Sequence, residues 1–113
     1  MAMKRMVLEF GMGTDISGAD PTSAALRALQ DALSHNVLAI ATALGQPPEA
    51  MTIDVHIGVP HPDKVNEAQV LAALPQGKGR VRVVDGGLEV HDDVGKASTL
   101  IANACAVVSL DIQ

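Results

Sequence analysis

Between an apolar run and an amphipathic run, the stretch "GMGTDISGAD" at 11–20 sets three glycines and two aspartates into ten positions. Glycine lets a backbone approach a ligand closely, and a carboxylate beside a hydroxyl can move a proton. In that reading Asp15 is the acid–base residue and Ser17 the donor or nucleophile, while Gly11, Gly13 and Gly18 shape the ligand-facing backbone. A phosphate cradle fits less well. The stretch lacks a Gly-Lys-Ser/Thr ending, its third glycine falls two residues late for a dinucleotide fingerprint, and Asp15 and Asp20 put negative charge where a phosphate would sit. The plain alternative is a structural turn in which Asp20 caps a helix and Asp15 bonds a turn amide.

Further chemistry-bearing residues are scattered. "MTIDVHIGV" alternates strictly, which puts Asp54 and His56 on one strand face, where they could hold one metal, share a proton or simply be solvated. His56 and Asn103 are the ligand contacts expected from the sheet, although Asn103, in the apolar run "IANACAVV", also suits a buried structural hydrogen bond. Glu89 and His91 alternate after a glycine turn and read as exposed edge residues. Cys105, the single cysteine, reads as an inert buried thiol suited to a reducing cytosol. No metal set and no cofactor fingerprint is legible.

The elements that must position these residues follow from periodicity. Residues 5–11 read as a first strand. Asp20 and Pro21 open a helix that Gly45 ends, with Leu26, Leu29, Leu33, Val37, Ile40 and Leu44 as its stripe and a break available at Ser34-His35-Asn36. Residues 51–59 are a half-buried strand. A second helix, capped near Asp63 and stopped by Pro75, turns Val65, Ala68, Leu71 and Ala72 inward. Two short strands flank Asp85-Gly86-Gly87 as a tight hairpin, and 98–112 closes the chain. The order β-α-β-α-β-β gives an α/β two-layer sandwich, a mixed sheet with two helices on one face, as a single domain over 1–113. The second face carries Thr52, Asp54, His56, Arg80 and Arg82.

Composition bounds the partners. With 48% apolar but only 1% aromatic residues over 113 positions, the core is built from small and aliphatic side chains. Burial against further copies, as a trimer or a multiple of dimers, would then add stability. A net charge of −5 with scattered basic residues argues against nucleic acid. No apolar run reaches the roughly 20 residues of a membrane span, and the expected location is the cytoplasm.

The combination of "GMGTD", Gly18-x-Asp20-x-Thr22, "AALRALQDALSHN", "GGLEV" and "IANACAVV" resembles the Lin-type conserved hypothetical family, small bacterial proteins with plant relatives and no assigned function. The resemblance spans nearly the whole chain. The family motif maps onto Gly11, Gly13, Asp15, Gly18, Asp20 and Thr22, while its histidine is here Ser17 and its lysine Ser23. Loss of an imidazole and an amine implies altered specificity, or a structural partner of a complete paralogous subunit. The inferred unit is also similar in architecture to one repeat of the cyclic-amide ring-opening hydrolases, which use serine–lysine pairs, although no such pair can be matched here. Two functions therefore stand: a small-molecule enzyme acting on a cyclic amide or related polar molecule at the 11–20 loop, and a non-catalytic ligand-binding or assembly subunit.

Overall fold

The computed structural model describes residues 2–16, 20–35, 37–92 and 98–112. Ser17, which stands at the family's histidine position, and Gly18, two of the expected site residues, lie outside them. The strands are β1 (Ala2–Asp15), β2 (Thr52–Gly58), β3 (Lys78–Val84), β4 (Leu88–His91) and β5 (Ser98–Ile112), and the helices α1 (Pro21–Leu33), α2 (Ile40–Ala43) and α3 (Glu67–Ala72). The sheet order is β1-β5-β2-β3, with β4 also paired to β5. Only β2 and β3 are parallel, joined through α3, and the rest of the pairing is antiparallel. This is the expected mixed α/β sheet. Its core is Ile53, Val55 and Ile57 of β2 and the even-numbered positions Leu100 to Leu110 of β5, packed under α1 and Val70 of α3.

Backbone register fixes the two faces, because residues paired across strands point the same way. Gly11 pairs with Ala104 and Gly13 with Ala102, so both glycines lie on the helix side. Here the structure corrects the expectation of a glycine loop: β1 continues through Asp15. A Cβ on Gly11 would run into the backbone of Ala28 and Ala32, and one on Gly13 into that of Ala24 and Ala28. Across from them α1 presents Ala24, Ala25, Ala28 and Ala32, all fully buried. Small residues on both sides let the helix backbone lie directly on the strand. The expected leucine stripe is therefore replaced by an alanine face, with Leu29 buried and Leu44 exposed.

Three further boundaries differ. The long helical run breaks after Leu33, as Ser34-His35-Asn36 permits, and resumes as a 3-10 turn at Val37–Ala39 and the short α2. The second helix is capped by Asn66, whose Oδ1 accepts the Gln69 N–H at 3.1 Å, and not by Asp63. It buries Val70 and leaves Leu71 exposed. Asp85-Gly86-Gly87 is no hairpin. β3 and β4 run in the same direction, and the chain steps between them over the end of β2, so that β4 continues the lane of β2 along β5. The step needs glycine: Gly87 has φ +63°, and a Cβ there would strike the Ile101 carbonyl. Among the described residues no helix is long and apolar enough to cross a membrane.

Candidate functional site

The signature residues of the 11–20 region form a junction. Asp15, only 6% exposed, accepts the Asp20 N–H through Oδ2 at 2.7 Å and meets Arg27 Nη1 through Oδ1 at 3.3 Å. Asp20 Oδ1 accepts the Thr22 N–H at 3.0 Å, capping α1. Thr22 Oγ1 in turn accepts the Asn66 N–H at 2.9 Å, which ties α1 to the cap of α3. Arg27 also donates to the Thr14 carbonyl at 2.6 Å, and Asp31 accepts the Met12 N–H at 2.9 Å. Both bonds fall on the outer edge of β1, where unpaired strand groups would otherwise invite another chain.

The expected site residues are brought together only in part: Gly11, His56 and Asn103 line one hollow, and Asp15 and Gly13 lie outside it. Asp15, Gly11 and Gly13 are on the helix side of the sheet, whereas His56 and Asn103 are on the open side. Asn103 is exposed, not buried among apolar neighbours, because it alternates away from Ala102 and Ala104. Cys105 is half-buried on the same open side, with its thiol pKa raised by desolvation, which the charge of Arg5 opposes. Asp54 does share a face with His56, but its Oδ1 accepts from Arg80 Nε at 3.0 Å.

A cluster missed at the level of sequence forms at the end of the sheet where β1, β2 and β4 finish and α1 begins. Glu89 Oε1 is 2.9 Å from His61 Nε2, Glu89 Oε2 is 4.0 Å from His91 Nε2, and His91 Nδ1 is 2.8 Å from Ser98 Oγ. The His61 hydrogen bond is the main reason that the Glu89 carboxyl is held below its ordinary pKa; Ser98 and the charges of His61 and His91 add to it, and desolvation opposes it. Glu89 and Asp15 both pair with Leu100, from opposite sides. They share the helix face at about 10 Å, two strand spacings. His61, between Pro60 and Pro62, has φ 57° and ψ 55°, the one positive-φ residue other than glycine among those described. Such a conformation costs on the order of 1 kcal/mol, and residues held in it recur at working sites as well as in turns. Imidazoles, a carboxylate and a hydroxyl in sequence can relay a proton or bind a polar group. Among the described residues, no set of three or more His, Cys, Asp or Glu side chains is arranged to hold a metal ion.

With this geometry in view, the comparisons give a family. The family model described as "Conserved hypothetical protein (Lin0512_fam)" matches residues 5–108. The chain belongs to that family. A crystal structure from Nostoc punctiforme, described as an FtsZ-like protein of unknown function, is similar over 99% of this chain and 99% of its own, with 38% identity and a TM-score of 0.86. No match was found among curated proteins.

Proposed function

We propose that the chain is a ligand-binding subunit of a cytosolic homo-oligomer, in which the open face of the sheet meets another copy. The observation that carries this is the clustering of large exposed apolar side chains on that one face: Leu8, Phe10, Met12, Val84, Leu88 and Val90 are 48 to 70% exposed. Contiguous apolar surface of this kind marks an interaction site in a soluble protein. Shape supports the same reading. A compact domain of 113 residues has a radius of gyration of about 13 Å, and this chain, drawn out along β1 and β5, has 15.3 Å. A single thiol outside any disulfide suits a reducing compartment. Sedimentation equilibrium at micromolar concentration tests the assembly: the expected result is a trimer or a multiple of dimers that Phe10→Asp reduces to monomer, and a monomeric wild type overturns it.

The second reading, an enzyme of the cyclic-amide hydrolase type, draws support from the His61–Glu89–His91–Ser98 cluster. The engaged Asp15 carboxylate favours placing acid–base work at that cluster and not in the 11–20 loop. Turnover of cyclic ureides that His91→Asn abolishes without unfolding would establish it, and no turnover by the wild type removes it.

A further inference from the structure

We infer that the open face of the sheet binds a small amphipathic anion, its apolar body over Gly58 and its anionic head among Arg5, Arg80 and Arg82. The inference deepens the reading of the open face as a binding surface and does not depend on the number of copies.

Two hollows adjoin there and share His56 as a wall. The first, of about 560 Å³, is largely apolar, with Phe10, Met12, Val84 and Cys105 around Gly58, and its polar lining besides His56 is Asn103 and Asp31. The second, of about 330 Å³, is polar and lined by Arg5, Asp54, Arg80 and Arg82. Register places them side by side: His56 is beside Arg82, and Gly58 beside Val84 one step further on the same face. That step is about 7 Å along the strand, so one ligand with a head group and an apolar body can reach from one hollow into the other.

Charge selects the head group. The chain carries −5 overall, yet this hollow gathers three arginines against one carboxylate, and Asp54 is already paired with Arg80 at 3.0 Å. Arg5 and Arg82 have no carboxylate partner among the described residues. Guanidinium groups grip carboxylate, sulfonate and phosphate oxygens through paired N–H donors, so the unmatched charge fits an oxyanion.

Gly58 selects the body. Its backbone is ordinary strand, and a Cβ there would meet only Gly86 Cα at 3.6 Å and Gly87 N at 3.9 Å, which is normal contact. The Gly86–Gly87 backbone thus lies at ordinary contact distance from that position without excluding a side chain, and glycine at 58 keeps the floor of the hollow free of one. Glycine in a strand interior commonly marks close approach of a ligand.

The probe is 1-anilinonaphthalene-8-sulfonate, an aromatic body with a sulfonate, titrated by fluorescence against its uncharged relative N-phenyl-1-naphthylamine. The expected result is one saturable site per chain that prefers the sulfonate. The double variant Arg5→Gln/Arg82→Gln should weaken it about tenfold or more, the usual effect of losing charge-assisted hydrogen bonds, and Gly58→Val should do the same by filling the floor. Circular dichroism melts establish that each variant is folded. Sulfonate binding unchanged in either folded variant, or equal binding of the neutral probe, overturns the inference. Sedimentation equilibrium separates it from the assembly: a monomeric wild type with this binding pattern removes the oligomer alone, whereas an oligomer without the pattern removes the anion site alone.

Discussion

Asp15 accepts the Asp20 N–H at 2.7 Å, so the acid at the end of β1 clasps the residue that caps α1. Its other oxygen faces Arg27, and the residue is almost wholly buried. Asp15→Ala should therefore cost about 2 kcal/mol, as expected when the hydrogen bonds of a carboxylate are lost. Asp20→Ala should cost only about 1 kcal/mol, the ordinary loss of a helix cap. Urea unfolding of the two variants checks the order, and an Asp15→Ala protein as stable as the wild type would show that the clasp contributes nothing.

Three glycines in strands separate packing from openness. At Gly13 a Cβ would be 2.6 Å from the Ala24 carbonyl oxygen, with the α1 backbone behind it, so Gly13→Ala must push helix and sheet apart. Overpacking of this kind costs roughly 3 kcal/mol, and Gly11→Ala should behave alike. Gly58→Ala, with nothing closer than 3.6 Å, should melt within a few degrees of the wild type. Thermal denaturation of the three variants decides whether the glycines of β1 serve the helix.

The strand at 51–59 was fully legible, because alternation is a local signal and Ile53, Val55 and Ile57 are buried as the pattern requires. Gly11 and Gly13 were not. In sequence a glycine pair punctuates a chain, and only the alanine face of α1, more than ten residues away, shows that the pair belongs inside a strand. The same holds for Asp85-Gly86-Gly87, whose composition suits a hairpin as well as a step across β2. That step carries Glu89 and His91 to His61 and Ser98, which explains why the polar cluster had no sequence signal. Asn103 misled for a different reason: apolar neighbours on both sides suggest burial, but one face of β5 is open.

The His61–Glu89 pair should be visible in the pH dependence of stability. A carboxyl whose pKa is depressed on folding stabilises the fold above its unfolded value, near 4.5, and loses that contribution as pH falls through the folded value. Glu89→Gln removes the titrating group while keeping its shape. The variant should be less stable than the wild type around neutrality, and the gap should close as pH falls below about 4, where the carboxyls of both states take up protons. A gap in urea midpoints that stays constant from neutral to acid pH would mean that the ionised carboxylate has no special hold on His61.

Cys105 offers a chemical readout of the open face. Desolvation raises its thiol pKa, and the positive charge of Arg5 works against that rise. The thiolate is the reactive form, so at a fixed mildly alkaline pH the folded protein should react with Ellman's reagent more slowly than the urea-unfolded chain. Removing the charge with Arg5→Ala leaves desolvation unopposed, and the folded variant should react more slowly still. Steric relief acts in the opposite sense: if Arg5 merely shields the thiol, its truncation speeds labelling. The direction of the Arg5→Ala effect thus distinguishes a guanidinium that acts electrostatically beside Cys105 from one that only covers it, and faster labelling of the folded variant would remove Arg5 from the charged lining of the hollow.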